Sequence, residues 1–252
     1  MAAPIVMVHG AFCGGWAFEA FRAPFEAAGH TVLTPDLRGH SEAGGSVAGL
    51  SMTDYAKDIA ALCAAQPEPP ILIGHSLGGL VCQLAAKRAP LKALVLLAPS
   101  PPWGVAGSSM EEAVTAFGLM MGAAFAQSIS PDRTLMRTYS LDRMPSAERE
   151  AAVQRLRPES GRALWETLNW WLDPFMTTSV GTGGIGVPCL VMVGQRDVVH
   201  PPMTARQTAQ RLAADYIEMA GMSHWLLGET GWQDVASQAW DWLEKLEARA
   251  PA

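Results

Sequence analysis

The chain has 252 residues, 49% hydrophobic and 17% charged, with a formal net charge of -6 at neutral pH. This length and apolar content suit one large domain, or an ordinary domain carrying an insertion, and exclude both a disulfide-stapled mini-protein and a disordered chain. The acidic balance argues against a nucleic-acid partner, and the unbroken apolar runs, Ala93 to Ala98 among them, are too short to span a membrane.

Through the first hundred residues, apolar strand-like runs alternate with helical patterns. Ile5 to Val8, Thr31 to Leu33, Ile71 to Ile73 and Ala93 to Leu97 read as strands buried on both faces. Helices are expected from Phe18 to Ala28, Thr53 to Ala65 and Gly78 to Arg88, each ended by Gly or Pro. Such alternation predicts an α/β fold with a mainly parallel sheet. The rhythm then breaks: from Ser100 to about Gly186 there are helix-like segments (Met110 to Gln127, Asp132 to Tyr139, Ala147 to Leu156, Glu159 to Leu172) and no strand pattern. A glycine-rich return, Gly181 to Gly186, closes that stretch, and strands resume at Cys189 to Val193 and Tyr216 to Met219. Helices are expected again over Thr204 to Ala213 and Asp234 to Arg249. The expected division is therefore a core of residues 1–100 and 187–252, about six strands flanked by helices, with a helical cap of residues 101–186 inserted after the fourth strand.

The strongest chemical signal is Gly74-His75-Ser76-Leu77-Gly78, a G-x-S-x-G between a buried strand and an apolar helix. A serine at so sharp a strand-to-helix turn projects its hydroxyl past the strand end, as a nucleophile must. Serine is weak alone and needs a base and a carboxylate. Asp197 follows the strand Cys189 to Val193, and no carboxylate ends the preceding strand at Leu97-Ala98-Pro99-Ser100. His224, past the last strand, completes the order Ser76, Asp197, His224. His200 is set aside because it lies so close in sequence to Asp197. The oxyanion donors expected are the N–H groups of Leu77 and Ala11, the latter in the turn His9-Gly10-Ala11-Phe12. Cys13, Cys63, Cys82 and Cys189 show no metal or disulfide spacing, so neither metal nor cofactor is expected.

Together these motifs resemble the α/β-hydrolase superfamily over essentially the whole chain. Val8 to Trp16, Asp36-Leu37-Arg38-Gly39-His40-Ser41, Gly74 to Gly79 and Ser223-His224-Trp225 carry the likeness. The His-Gly-Ala and Gly-Gly-Trp stretch is most similar to the plant methylesterase and hydroxynitrile lyase branch and its bacterial esterase relatives. Ser76 departs from the aspartate nucleophile of haloalkane dehalogenases and epoxide hydrolases. Gly10 and Trp225 stand where hydroxynitrile lyases carry threonine and lysine.

The resemblance implies a serine carboxylesterase acting through an acyl-enzyme on a small to medium ester with a hydrophobic part. Lactone, thioester or C–C bond hydrolysis by the same residues stays open, as do perhydrolase chemistry and a receptor role. Substrate contacts are expected from Phe12, Trp225, Trp103, His75 and Trp165, and more broadly from Trp170, Trp171 and the methionines of the cap: Met110, Met120, Met121, Met136, Met144 and Met176. With no basic leader before Gly15, a cytoplasmic monomer or homodimer is expected.

Overall fold

The computed structural model describes residues 2–41, 44–107 and 127–249. Its strands in chain order are β1 (Ile5–Val8), β2 (Val32–Leu33), β3 (Ile71–His75), β4 (Ala93–Leu97), β5 (Ser128–Ile129), β6 (Glu159–Ser160), β7 (Cys189–Gly194) and β8 (Asp215–Met219). Among the described residues, the α-helices of five residues or more are α1 (Ala23–Ala27), α2 (Met52–Ala64), α3 (Leu77–Ala85), α4 (Ser146–Arg155), α5 (Gly161–Leu168), α6 (Pro202–Leu212) and α7 (Trp232–Arg249). Six strands form one parallel sheet in the order β2-β1-β3-β4-β7-β8, in agreement with the expected α/β architecture.

Every residue of β1, β3, β4 and β7 is buried, because successive side chains enter two different cores. Ile5, Met7, Ile73, Val95, Leu97 and Met192 pack with Phe18, Phe21, Phe25, Val235 and Ala239 on one face. Val6, Val8, Leu72, Leu94, Leu96 and Val191 pack with Met52, Tyr55, Leu80, Ala205 and Ala209 on the other. The chain runs from β1 out to β2 and returns across β1 to β3, so the order reverses between β1 and β3. In open α/β sheets, the carboxyl ends of strands at such a reversal are the usual ligand position.

Two expectations about elements change. The helix foreseen over Phe18 to Ala28 is a 3-10 turn at Gly15–Phe18 followed by the short α1, with Pro24 in its first turn. Proline has no N–H for a helix interior and starts a new helix instead. The helix foreseen over Glu159 to Leu172 begins as β6, becomes α5, and ends in a separate 3-10 turn at Trp170–Leu172. β6 pairs antiparallel with β5, so the inserted stretch holds a small sheet besides its helices. Ser160 caps α5 by accepting from Ala163 N–H, while the Glu159 side chain is drawn away into the body.

The inserted stretch shares the cores of the body. Leu141, Val153 and Leu156 join the first cluster, while Ala163, Val180 and Ile185 join the second. Its expected helix Met110 to Gln127, with Met110, Met120 and Met121, lies outside the described residues but for Gln127. Among the described residues, no helix is long and apolar enough to cross a membrane.

α3 crosses the end of β1 so closely that a Cβ on Gly78 would sit 2.3 Å from the carbonyl oxygens of both Val8 and His9. Gly78→Ala is therefore expected to cost about 1–3 kcal/mol or more, as overpacking against backbone does. Chemical denaturation measures this, and an unchanged midpoint would refute the packing argument.

Candidate active site

Ser76 stands between β3 and α3 at φ 52 and ψ -123, a left-handed conformation rare for residues with a side chain. Its neighbours enforce the turn. Ser76 N–H donates to Leu97 O at 3.0 Å, and its carbonyl accepts from Gly79 N–H and Ser100 N–H, both at 2.9 Å. From Ile71 to Leu80, Ser76 alone keeps appreciable solvent exposure. Its hydroxyl lies at the amino end of α3, where the helix dipole favours negative charge.

His224 and Asp197 reach this hydroxyl from the ends of β8 and β7. Ser76 Oγ is 3.1 Å from His224 Nε2, and His224 Nδ1 is 2.9 Å from Asp197 Oδ2. A carboxylate only accepts, so Nδ1 carries the proton and Nε2 is left to accept from the serine hydroxyl. The second carboxylate oxygen of Asp197 takes the N–H groups of Val199 and His200, at 2.8 and 2.9 Å. The acid and histidine loops run backbone to backbone, with Arg196 N–H on Met222 O. A Cβ on Gly194 would lie 2.0 Å from Ser223 O, so a larger residue there would push the two loops apart.

Behind the imidazole stand residues expected to touch substrate. His75 and Trp225 are 1% and 4% exposed, which leaves a ligand almost no surface on either. His75 Nε2 donates to the His224 carbonyl at 3.0 Å, and its ring packs on those of His224 and Trp225. Burial, reinforced by the charge of His224, holds His75 well below the usual histidine range, so it braces the loop as a neutral ring. His200, set aside on sequence proximity, has its ring 5.2 Å from that of His224 and its Nε2 3.0 Å from Ser100 Oγ. Ser100 thus ties the Ser76 turn to the Asp197 loop. No local pattern announces this link, since it joins residues a hundred positions apart.

The His9–Phe12 turn passes directly beside the serine: a Cβ on Gly10 would sit 3.0 Å from Ser76 Cβ. Ala11 and Phe12 pack with Ile129, Leu164, Trp165 and Leu168 into a small apolar cluster. Trp103 instead pairs with Trp170 at 5.3 Å, outside that cluster. Met136 and Met144 pack against the body's first core, and Trp171 and Met176 are largely exposed. The four cysteines are buried and unpaired, and burial pushes Cys63 up to about 11. Among the described residues no group of three His, Cys, Asp or Glu side chains could hold a metal ion.

Glu229 is another residue that no motif pointed to. Its carboxylate is buried and accepts from Ser223 N–H, directly before His224, at 2.8 and 3.1 Å. Burial raises it to about 7 against the lowering effect of that N–H. Because its folded value exceeds the unfolded one, the ionised form costs stability that is lost as pH rises from about 4.5 to about 7. Glu229→Gln should therefore be more stable than wild type by about 1–3 kcal/mol at pH 8, a gap closing toward pH 5. Thermal unfolding at both pH values checks this, and a gap independent of pH would contradict it.

The description "Alpha/beta hydrolase family" belongs to a family model that matches residues 5–238. A pyrethroid hydrolase of Sphingobium wenxiniae is 35% identical over 94 residues, covering 37% of this chain and 34% of that protein. Salicylic acid-binding protein 2 of Nicotiana tabacum is 38% identical over 109 residues, 41% of this chain and 42% of that one. The chain thus spans less than half the length of these curated relatives that it matches. A solved methylesterase from Arabidopsis superposes with a TM-score of 0.73 at 17% identity, covering 96% of this chain and 99% of that one, and so shares the fold. With six parallel strands in one sheet, helices on both faces and a family match from the first strand into the last helix, the chain belongs to the alpha/beta hydrolase family.

Proposed function

We propose that the protein is a serine hydrolase of carboxylic esters, and that Ser76, His224 and Asp197 carry its chemistry. The observation behind this reading is the unbroken hydrogen-bonded chain from Ser76 Oγ through His224 to Asp197. His224 Nε2 takes the hydroxyl proton as Ser76 Oγ bonds to the ester carbonyl carbon. Asp197 keeps the imidazole in the required tautomer and stabilises the imidazolium. The Ala11 and Leu77 N–H groups hold the oxyanion; Leu77 opens α3, where first-turn donors lack intrahelical partners. The alcohol departs with the proton from His224, and water, activated by the same imidazole, releases the acid.

An apolar part of the substrate fits the cluster of Phe12, Leu164, Trp165 and Leu168 at the mouth of this turn. The similar proteins include ones named pyrethroid hydrolase, carbendazim hydrolyzing esterase and methylesterase, which supports an ester as substrate. Residues 101–186, in this reading, act as a lid over the site.

Ser76→Ala should abolish turnover of p-nitrophenyl esters while leaving the unfolding transition in place; retained turnover would refute the nucleophile. Asp197→Asn should lower kcat by about 10³–10⁴-fold through the wrong imidazole tautomer. Assayed on esters, lactones and thioesters in parallel, the wild type is expected to prefer esters, and a preference for another class would redirect the reading.

A further inference from the structure

The stretch Arg155 to Ser160 grips the body at four places. The Arg155 guanidinium pairs with Glu19 and lies 4.8 Å over the Trp16 ring. Arg157 N–H donates to Phe12 O at 2.8 Å. Glu159 accepts from Tyr55 O–H at 2.7 Å and from Ser160 N–H at 2.7 Å, and bonds His40 Nε2 at 3.1 Å. Ser160 Oγ donates to Leu50 O at 2.6 Å. These grips are unequal: the Arg155–Glu19 pair is exposed and so contributes little, whereas Glu159 and His40 are both wholly buried, and breaking such a pair is costly. Burial alone would raise the Glu159 carboxyl, but the His40 bond and charge, together with the bonds from Tyr55 and Ser160, outweigh it and hold it below its usual range.

Two routes run from Glu159 to the turn beside Ser76. Along the inserted stretch, Glu159 holds the backbone whose Arg157 N–H meets Phe12 O, and Phe12 sits at φ 64, a conformation that its surroundings must sustain. Through the body, Glu159 holds His40, whose ring lies edge-on at 5.1 Å to that of His9. His40 N–H closes a turn on Leu37 O, and Leu37 N–H donates to His9 Nε2. His9 must then carry its proton on Nδ1, which donates to Gly10 O at 2.9 Å. Gly10 C=O and Ala11 N–H belong to one peptide plane, so holding the oxygen aims the N–H. The two routes therefore close on Ala11 from either side.

We infer that Glu159 is a positioning residue: buried between His40 and Tyr55, it seats the inserted stretch on the body and thereby aims the Ala11 N–H beside Ser76. This rests on the esterase reading above, since it gives the Ala11 N–H its purpose. Seating of the inserted stretch is accordingly a condition for the chemical step. Removing the charge of Glu159 impairs stabilisation of the tetrahedral intermediate more than it impairs ester binding.

The test compares wild type, Glu159→Gln and Tyr55→Phe by p-nitrophenyl acetate kinetics and by the rate at which a fluorophosphonate labels Ser76, read by intact mass. Thermal unfolding establishes that each protein is folded at assay temperature. Glu159→Gln keeps the shape and an acceptor for Tyr55 but loses the charge on His40. It should lower kcat and the labelling rate by about tenfold or more, with KM changed less than about threefold. Tyr55→Phe removes one donor and should move kcat the same way by less; it decides the matter if Glu159→Gln does not fold. A folded Glu159→Gln with wild-type kcat and labelling rate overturns the inference, even if it melts earlier, as does an unchanged kcat in Tyr55→Phe. Wild type labelled at Ser76 yet hydrolysing no ester refutes the esterase reading instead, and the labelling rates then still decide the role of Glu159. Wild type neither labelled nor active overturns both.

Discussion

The turn at Ser76 is the constraint on which the rest of the site depends. A residue with a side chain is held at φ 52 between β3 and α3, and three backbone hydrogen bonds to the ends of neighbouring elements sustain it. Strain of this kind persists only where the surroundings over-determine it. Here they do so by close approach: α3 lies against the end of β1 at Gly78, and Ser100 closes on the Ser76 carbonyl. The same closeness carries the His9–Phe12 turn to the serine and leaves its hydroxyl facing outward.

Around that turn the protein spends buried polar groups rather than apolar contact. Asp197 satisfies both carboxylate oxygens, His75 and Glu229 hold the backbone on either side of His224, and His9 holds the Gly10 carbonyl. Each such group is costly to bury unless it is paired, and once paired it admits few alternative arrangements. The inserted stretch joins this scheme through Glu159 and Glu166. Glu166 accepts from Ser51 Oγ and Met52 N–H at the start of α2, where a negative group suits the helix dipole.

Much of the fold was legible in the sequence because buried parallel strands leave an unmistakable mark. Ile5 to Val8 and Ala93 to Leu97 are uninterrupted apolar runs, and both are strands with the expected bounds. Local chemistry misled where tertiary contacts competed with it. Glu159 sits in a helical pattern, yet His40 and Tyr55 draw its side chain inward and its backbone pairs with Ile129. Pro24 could have been read as the break in the first helix, since its ring permits only a helix start. His75 and Trp225 were legible as neighbours of the site but not as buried ones; adjacency in sequence says nothing about which way a ring turns.

By itself the sequence determined the alternation of strands and helices and the sharp serine turn, because these depend on hydrophobic period, on glycines that admit close backbone approach, and on local turn chemistry. Tertiary structure alone decided that the side chains of Ser76, His224 and Asp197 meet at hydrogen-bond distance, that His200 and Ser100 bridge two loops, and that Glu159 reaches the body through His40 and Tyr55. Such pairings join residues far apart in the chain. Their partners are selected by burial, where an unpaired polar group is costly, and burial exists only once the layers have packed.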